Sequence, residues 1–569
     1  SSSSFQSPAS IRSASGSRNS AYCGCVSHSR IAPAECSVSS SSLAACSTAA
    51  RRAWLLWSVG IDAVSAGLRR QPVSQAISRR GVALYPPRGD FGKHRRPSRY
   101  TRDSGRHDSQ GIDFVSDLII SVSGLRGVVG ESLTPDVAIR YASAFVAGLP
   151  PGPVVLGRDG RESGPTFVAA IGESLRAAGR DVLDGGVAAT PTVGLLVRTL
   201  AAAGGIQISA SHNPPQYNGL KLFGPSGRVL TADEGRRVLT AYERAEAPPR
   251  SPVAGSRQDV DGGPAHLERV LGAVDVRRIR DAGLRVWLDA GHGAGSRLAV
   301  PLLEALGCEL ILEGGSPDGR FEHPPEPTEE NLAGLLPRIP ASRCDVGFFQ
   351  DPDADRLAIA TAEGRFIGEE ATLPLAVEAV LARRPGPVVV NCSTSGMTAV
   401  LARRFGVACH VAAVGEANVV ERMVESAAVI GGEGNGGVID PRVGYVRDSF
   451  IGMALVLERM AGEGGPFSLA SLADRLPRRV MRKTKIELGR KLRTAGLTAA
   501  LEGIERAFPE AVASRLDGLR LDAADFWLLI RASNTEPILR IVAEAERADV
   551  ADAAIARARE ALGEFLADD

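Results

Sequence analysis

The sequence predicts three tandem, similar α/β domains with mixed sheets, followed by a smaller C-terminal α+β domain. Two observations carry this reading. One strand–helix–strand pattern occurs three times, and the C-terminal stretch has a different texture. The first strand of each repeat is an apolar run that ends in polar or small residues: Val154-Val155-Leu156-Gly157-Arg158-Asp159, Val286-Trp287-Leu288-Asp289-Ala290-Gly291 and Val388-Val389-Val390-Asn391-Cys392-Ser393. Helical stretches follow over 167–178, 297–306 and 398–405, and second strands ending near a glycine over 182–186, 309–315 and 410–415. Buried parallel strands joined by right-handed crossovers are the expected result. At the C-terminal end, short strands over 526–531 and 538–543 precede an amphipathic helix over 550–566.

The chain has 569 residues, too many for one core. Segments rich in Pro, Gly, Ser and charge read as linkers over 245–264 and 462–466. The domains then span 116–250, 263–363, 364–464 and 467–569. Residues 1–115 are rich in Ser and Arg, poor in acids, and lack sustained periodicity. A transit-like peptide, a disordered tail and translated upstream sequence all fit that texture; a disordered or non-native extension is the expectation.

Formal net charge is +1, which gives no bulk reason to expect nucleic acid or an anionic membrane as partner. The longest membrane-like candidate, over 53–60, is too short to span a bilayer. Of eight cysteines, four lie in the N-terminal region, and Cys308, Cys344, Cys392 and Cys409 are scattered without metal-ligand spacing, the usage of a reducing compartment, so a cytoplasmic protein is expected.

Chemistry concentrates in a few loops. In Ile208-Ser209-Ala210-Ser211-His212-Asn213-Pro214-Pro215, an apolar run ends in hydroxyls, a histidine and an amide, and two prolines stop a helix. Ser211 is expected on a rigid, polar, exposed loop, the way a side chain is presented for reaction. Gln350-Asp351-Pro352-Asp353-Ala354-Asp355-Arg356 follows a second apolar run. If extended, it aims Asp351, Asp353 and Asp355 to one side, where they repel unless a cation sits among them. Hard oxygen ligands suit Mg²⁺. A solvated acidic turn is the alternative. An EF-hand fails, because Arg356 stands where glycine is needed and Ala362 where the bidentate glutamate belongs.

Arg531-Ala532-Ser533-Asn534-Thr535-Glu536-Pro537, with Arg540 beyond, offers guanidinium, hydroxyl and backbone donors suited to phosphate, or else an Asx-turn between strands. Gly431-Gly432-Glu433-Gly434-Asn435-Gly436-Gly437 lets backbone approach a ligand while Glu433 and Asn435 bond adjacent sugar hydroxyls; alone, it reads equally as a hinge. Arg126, between glycines, could reach an active site or lie on the surface. Gly157-Arg158-Asp159-Gly160-Arg161 reads as a structural turn.

These stretches, in this order, resemble the α-D-phosphohexomutase family over about residues 118–569. The resemblance implies four domains around one central cleft, each giving one loop. It implies exchange between the 6- and 1-phosphates of a hexose through phosphorylated Ser211 and a hexose 1,6-bisphosphate. Mg²⁺ would be held by Ser211, Asp351, Asp353 and Asp355. Arg531, Ser533, Asn534, Thr535 and Arg540 would grip the non-reacting phosphate, with Arg356, Glu433 and Asn435 also on the substrate. Lys221, His212 and Arg126 would handle protons and transition-state charge. The implied partner is a small sugar phosphate, with neither nucleic acid nor membrane.

Asn435 and Gly437 stand where many bacterial members have Ser and His, which shifts the proton-transfer role toward Lys221. Ser209 replaces a more usual Thr, and Asn534 a frequent Gly. The Gly-Glu-x-Asn-Gly-Gly form resembles the archaeal-type branch, which favours glucosamine 6-phosphate, with mannose and glucose phosphates as the alternative. A Mg²⁺-dependent phosphatase using Ser211 has no use for a distal phosphate grip. A sugar-phosphate binder without catalysis has no use for Ser211 and three aspartates together.

Overall fold

A computed structural model describes residues 118–121, 124–244, 251–462, 465–487, 496–532 and 538–566; the expected extension over 1–115 lies outside them. The first sheet holds seven strands: β1 (Ile119–Ser121), β2 (Gly124–Val128), β3 (Val154–Arg158), β4 (Val182–Val187), β5 (Gly204–Ile208), β6 (Tyr217–Phe223) and β7 (Arg257–Asp259). Their order is β1-β2-β6-β5-β3-β4-β7. The second sheet has β8 (Arg285–Asp289), β9 (Glu309–Glu313), β10 (Val346–Gln350) and β11 (Leu357–Thr361), in order β11-β10-β8-β9. The third has β12 (Val388–Asn391), β13 (Cys409–Ala412), β14 (Ile430–Glu433) and β15 (Gly437–Ile439), in order β13-β12-β14-β15.

Without β1, β2 and β7 the first sheet has the plan of the other two. In each, three strands run parallel and a fourth returns antiparallel beside the third. Val154, Val155, Leu156, Val286, Trp287, Leu288, Val388 and Val389 are all fully buried, as central parallel strands require. The repeat decides where the chemistry goes. Residues 209–216, 351–356 and 434–436 all connect a third strand to its antiparallel fourth. Each therefore sits at the carboxyl end of a parallel strand, where open α/β sheets bind ligands.

The C-terminal sheet is antiparallel throughout: β16 (Val480–Glu487), β17 (Val512–Ser514), β18 (Leu519–Asp522), β19 (Phe526–Ala532) and β20 (Ile538–Ala545), in order β16-β20-β19-β18-β17. The helix Ala548–Leu566 buries Ala551, Ala554, Ala558 and Leu562 against it.

Two boundaries differ from the sequence reading. The expected linker over 245–264 contains β7, which pairs in parallel with β4, and the start of the helix Gly263–Ala273. Arg257, Gln258 and Asp259 are all exposed, so this edge strand carries no apolar signal; its backbone pairing and the Arg257–Asp184 ion pair (2.6 Å) hold it. Secondly, the second and third repeats share one core, running unbroken from Val270, Leu288 and Phe348 to Val388, Phe450 and Met460. The helix Ser449–Ala461 is apolar on nearly every face and serves both, packing on Thr372–Arg383 and on Val276–Ala282. Cys308, Cys344, Cys392 and Cys409 are free thiols. Among the described residues no helix is long and apolar enough to cross a membrane.

Candidate active site

The serine loop leaves β5 in a conformation that its sequence alone does not favour. Ser211 has φ +50°, a left-handed backbone that costs a non-glycine residue on the order of 1 kcal/mol. Its amide donates to Ser209 Oγ (2.8 Å), and Ser209 Oγ in turn donates to Asp159 Oδ2 (2.6 Å). Arg161 does the rest. Only 1% exposed, it donates through Nη2 to the carbonyls of Ser211 and Asn213 (2.6 Å each). Through Nη1 it reaches those of Pro214 (2.7 Å) and Tyr217 (3.0 Å), while Nε bonds Asp159 Oδ2 (3.1 Å). The turn read as structural is thus the clamp of the serine loop. Arg161→Met should leave Asp159 buried without its cation and cost about 3 kcal/mol, the range for breaking a buried pair. A urea midpoint lowered at constant m-value would show it, and an unchanged midpoint would contradict the clamp.

Ser211 is not exposed, as the sequence suggested, but 1% accessible. Its hydroxyl points across to the second repeat and donates to Asp351 Oδ2 at 2.7 Å. Nor is the aspartate loop extended. Ala354 has φ +56°, and its amide closes a turn on the Asp351 carbonyl (2.9 Å). Asp351 Oδ1 accepts the amides of Asp355 and Arg356 (3.1 Å each). The turn achieves what strand alternation was expected to do: oxygen atoms of Asp351, Asp353 and Asp355 all lie within 4.8 Å of one another.

Asp353 Oδ2 accepts the Thr190 hydroxyl from the first repeat. Lys221 Nζ bridges Asp353 Oδ2 (2.8 Å) and Asp355 Oδ2 (2.7 Å). Asp353 Oδ1 and Asp355 Oδ1 are buried and have no hydrogen-bond partner among the described residues. Unsatisfied carboxylate oxygens in a cluster of hard donors are what a divalent cation such as Mg²⁺ would complete. Burial, then its two acidic neighbours, pushes the Asp351 carboxyl well above the usual range. Asp353 is equally buried, yet Lys221 and Thr190 hold it below that range. Lys221 is pushed above the ordinary lysine range, because Asp353 and Asp355 outweigh its burial. In that pairing it stands as an ammonium held between two carboxylates.

Arg447 links this cluster to the glycine-rich loop, and sequence reasoning missed it. Its guanidinium donates to Asp355 Oδ2 (2.6 Å) and Glu433 Oε2 (2.8 Å), and its Nε lies 3.3 Å from Glu416 Oε2. Three carboxylates push its already high pKa further up, against the cost of burial. Glu433 is also bonded by Asn391 Nδ2 (2.8 Å) and the Gly415 amide (3.1 Å), so it is oriented before any sugar arrives. Asn435 Oδ1 accepts the Gly437 amide (3.3 Å). Only a lone arginine before the helix cap Asp448 marks Arg447 in the sequence.

The remaining candidates surround Ser211. Arg126 is half-buried, not a surface residue, and donates to Asn213 Oδ1 (2.9 Å). His212 Nδ1 lies 3.5 Å from Ser211 Oγ. Burial, then Arg356 and Arg126, pushes this imidazole down to about 2, so it is neutral. Arg356 Nε lies 3.9 Å from Asp355 Oδ1.

Beside Glu433 and Asn435 opens a cavity of about 540 Å³, lined across from them by Lys483, Lys485, Arg531 and Arg540 of the last domain. The strand register explains these cations. Lys485 on β16 stands opposite Arg540 on β20, which stands opposite Arg531 on β19. Directly paired residues share a face, so three cations lie in a row, with Arg531 Nε also 3.3 Å from Asp517 Oδ2. Lys483 and Lys485 were not anticipated; their alternation on an exposed strand was the available signal. Ser533, Asn534 and Thr535 lie outside the described residues.

Four family profiles match in order along the chain. Phosphoglucomutase/phosphomannomutase alpha/beta/alpha domains I, II and III cover residues 118–248, 264–364 and 369–480, and the C-terminal domain covers 483–561. A protein of Methanopyrus kandleri named "Probable phosphoglucosamine mutase" is 34% identical over 447 residues, 78% of this chain and 96% of the relative. A "Phosphoglucomutase/phosphomannomutase" of Thermococcus kodakarensis is 35% identical over 434 residues, 74% of this chain and 93% of its own. The crystal structure of a phosphoglucomutase/phosphomannomutase family protein from Burkholderia thailandensis superposes with a TM-score of 0.68 at 30% identity, covering 79% of this chain and 98% of that one.

Proposed function

The chain belongs to the phosphoglucomutase/phosphomannomutase family and is a phosphohexomutase, and we propose that it works through Ser211 on glucosamine 6-phosphate, yielding glucosamine 1-phosphate. Mannose and glucose phosphates are the alternative substrates. The observation that carries the mechanism is the 2.7 Å contact between Ser211 Oγ and Asp351, made within reach of two further aspartates. A hydroxyl positioned beside a cation site and apart from a cationic face suits a phosphoryl carrier better than an acyl nucleophile.

In this reading Ser211 carries a phosphoryl group in the active enzyme. Asp351, Asp353, Asp355 and the phosphorylated Ser211 would hold Mg²⁺, which would neutralise charge there. The substrate's own phosphate rests on Lys485, Arg531 and Arg540, and Ser533, Asn534 and Thr535 are assigned to the same phosphate by the family resemblance. Glu433 and Asn435 hold the sugar hydroxyls. The bond from phosphorus to Ser211 Oγ breaks as the bond to the free sugar hydroxyl forms, the hydroxyl's proton ending on Ser211 Oγ, giving a hexose 1,6-bisphosphate. That bisphosphate turns over and returns its other phosphoryl group to Ser211. Lys221, Arg126 and Arg356 supply fixed positive charge where the phosphoryl passes, and neutral His212 lies beside Ser211 Oγ without adding to the repulsion between ions.

The preference for the amino sugar is supported by Asn435 and Gly437 in the sugar loop and by the archaeal relative's name. A coupled assay comparing glucosamine, mannose and glucose 6-phosphates tests it: the highest kcat/KM should fall on the amino sugar, and a higher value for either neutral sugar would reassign the substrate. Asp353→Asn should raise the Mg²⁺ concentration needed for half-maximal turnover by at least about tenfold. An unchanged Mg²⁺ titration would count against the metal site.

A further inference from the structure

Glu370 belongs to no part of the mechanism above, yet it lines the same cavity. It precedes the helix Thr372–Arg383, and its Oε2 accepts the Ser395 amide (3.1 Å). Its carboxylate lies directly against the sugar loop: a Cβ built on Gly434 would come within 2.1 Å of Glu370 Oε2. The glycine is thus what allows Glu370 to join Glu433 and Asn435 in one wall. Its other oxygen faces Lys483 Nζ at 3.4 Å, a long pair to a lysine side chain that is 57% exposed. Such a pair is weak, and the lysine can turn to a phosphate.

The cavity therefore has an acidic edge set beside a cationic face. A neutral hexose phosphate supplies an anion to the cations and no cation to Glu370. An aminosugar phosphate supplies both. In a 2-amino sugar 1-phosphate the ammonium sits on the carbon next to the one bearing the phosphate, so both charges lie at the same end of the molecule.

Resting on the phosphohexomutase reading, we propose that Glu370 is a specificity residue: it binds the substrate's ammonium group when the 1-phosphate lies against Lys483, Lys485, Arg531 and Arg540. In the opposite orientation, with a 6-phosphate on those cations, the ammonium is at the other end and Glu370 makes no such contact. Burial already pushes the Glu370 carboxyl up to about 7, with Lys483 pulling the other way; an ammonium ion would hold it ionised.

The test is calorimetric binding of glucosamine 1-phosphate and glucose 1-phosphate, which differ only in ammonium against hydroxyl, without Mg²⁺ so that nothing turns over. The wild type should bind the amino sugar about tenfold more tightly, the scale of a charge-assisted hydrogen bond. Glu370→Gln keeps the size of the side chain and its bond from Ser395. It should lose that preference while binding glucose 1-phosphate within about twofold of wild type. Equal weakening for both sugars would reduce Glu370 to a support for the Ser395 turn and overturn the proposal. So would a preference that survives in the variant, or none in the wild type. None of those outcomes touches the mutase reading, which fails separately if turnover survives removal of the Ser211 hydroxyl.

Discussion

Ser211→Ala is expected to lower the exchange of 1- and 6-phosphates by at least about 10⁴-fold, the scale seen when a nucleophile is deleted from its catalytic unit, while the fold stays intact. The geometry explains why these effects separate. The hydroxyl makes one strong contact, to Asp351 Oδ2, and the loop is held elsewhere, by Arg161 on four carbonyls and by Ser209 on the Ser211 amide. Alanine keeps the same Cβ in the left-handed backbone that serine already occupies. Asp351 loses a donor, a cost of about 1 kcal/mol. Thermal unfolding should move by a few degrees and activity should vanish.

Arg447→Met is expected to give the largest loss of stability, about 3–5 kcal/mol, because it strands charge that was buried with a partner. Asp355, Glu433 and Glu416 are all under a tenth exposed, and the one guanidinium answers all three. Urea unfolding should show the midpoint falling at constant slope. Adding Glu433→Gln to this variant should recover part of the loss, since it removes one stranded charge. If the double variant is weaker by the sum of the singles, the network is not coupled as described.

The parallel strands were legible because they are short, continuous and wholly apolar; Val154-Val155-Leu156 and Val388-Val389-Val390 have no other plausible burial. The loops were legible because their residue types are costly in any other setting. What the chain concealed depends on contacts far apart in sequence. Ser211 reads as exposed until Asp351, 140 positions later, is brought against it. Nothing around Lys221 announces that its ammonium pairs with Asp353 and Asp355, 132 and 134 positions later. Arg447, Glu370 and Lys485 sit in stretches with no motif, and each gains meaning only from a strand or loop distant in sequence. The aspartate loop was read with the three residues that cluster but with the wrong backbone, since nothing in Asp353-Ala354-Asp355 announces a left-handed alanine.

The central claim is that Ser211 carries the phosphoryl group and gives it to a sugar. It is tested most directly by mass spectrometry of the Ser211 peptide after incubation with a hexose 1,6-bisphosphate and Mg²⁺, followed by addition of glucosamine 6-phosphate. The expected result is one phosphoryl group on Ser211, stable in water and discharged when the sugar phosphate is added. A peptide that is never phosphorylated, or one that loses its phosphate to water just as fast without the sugar, would contradict the account.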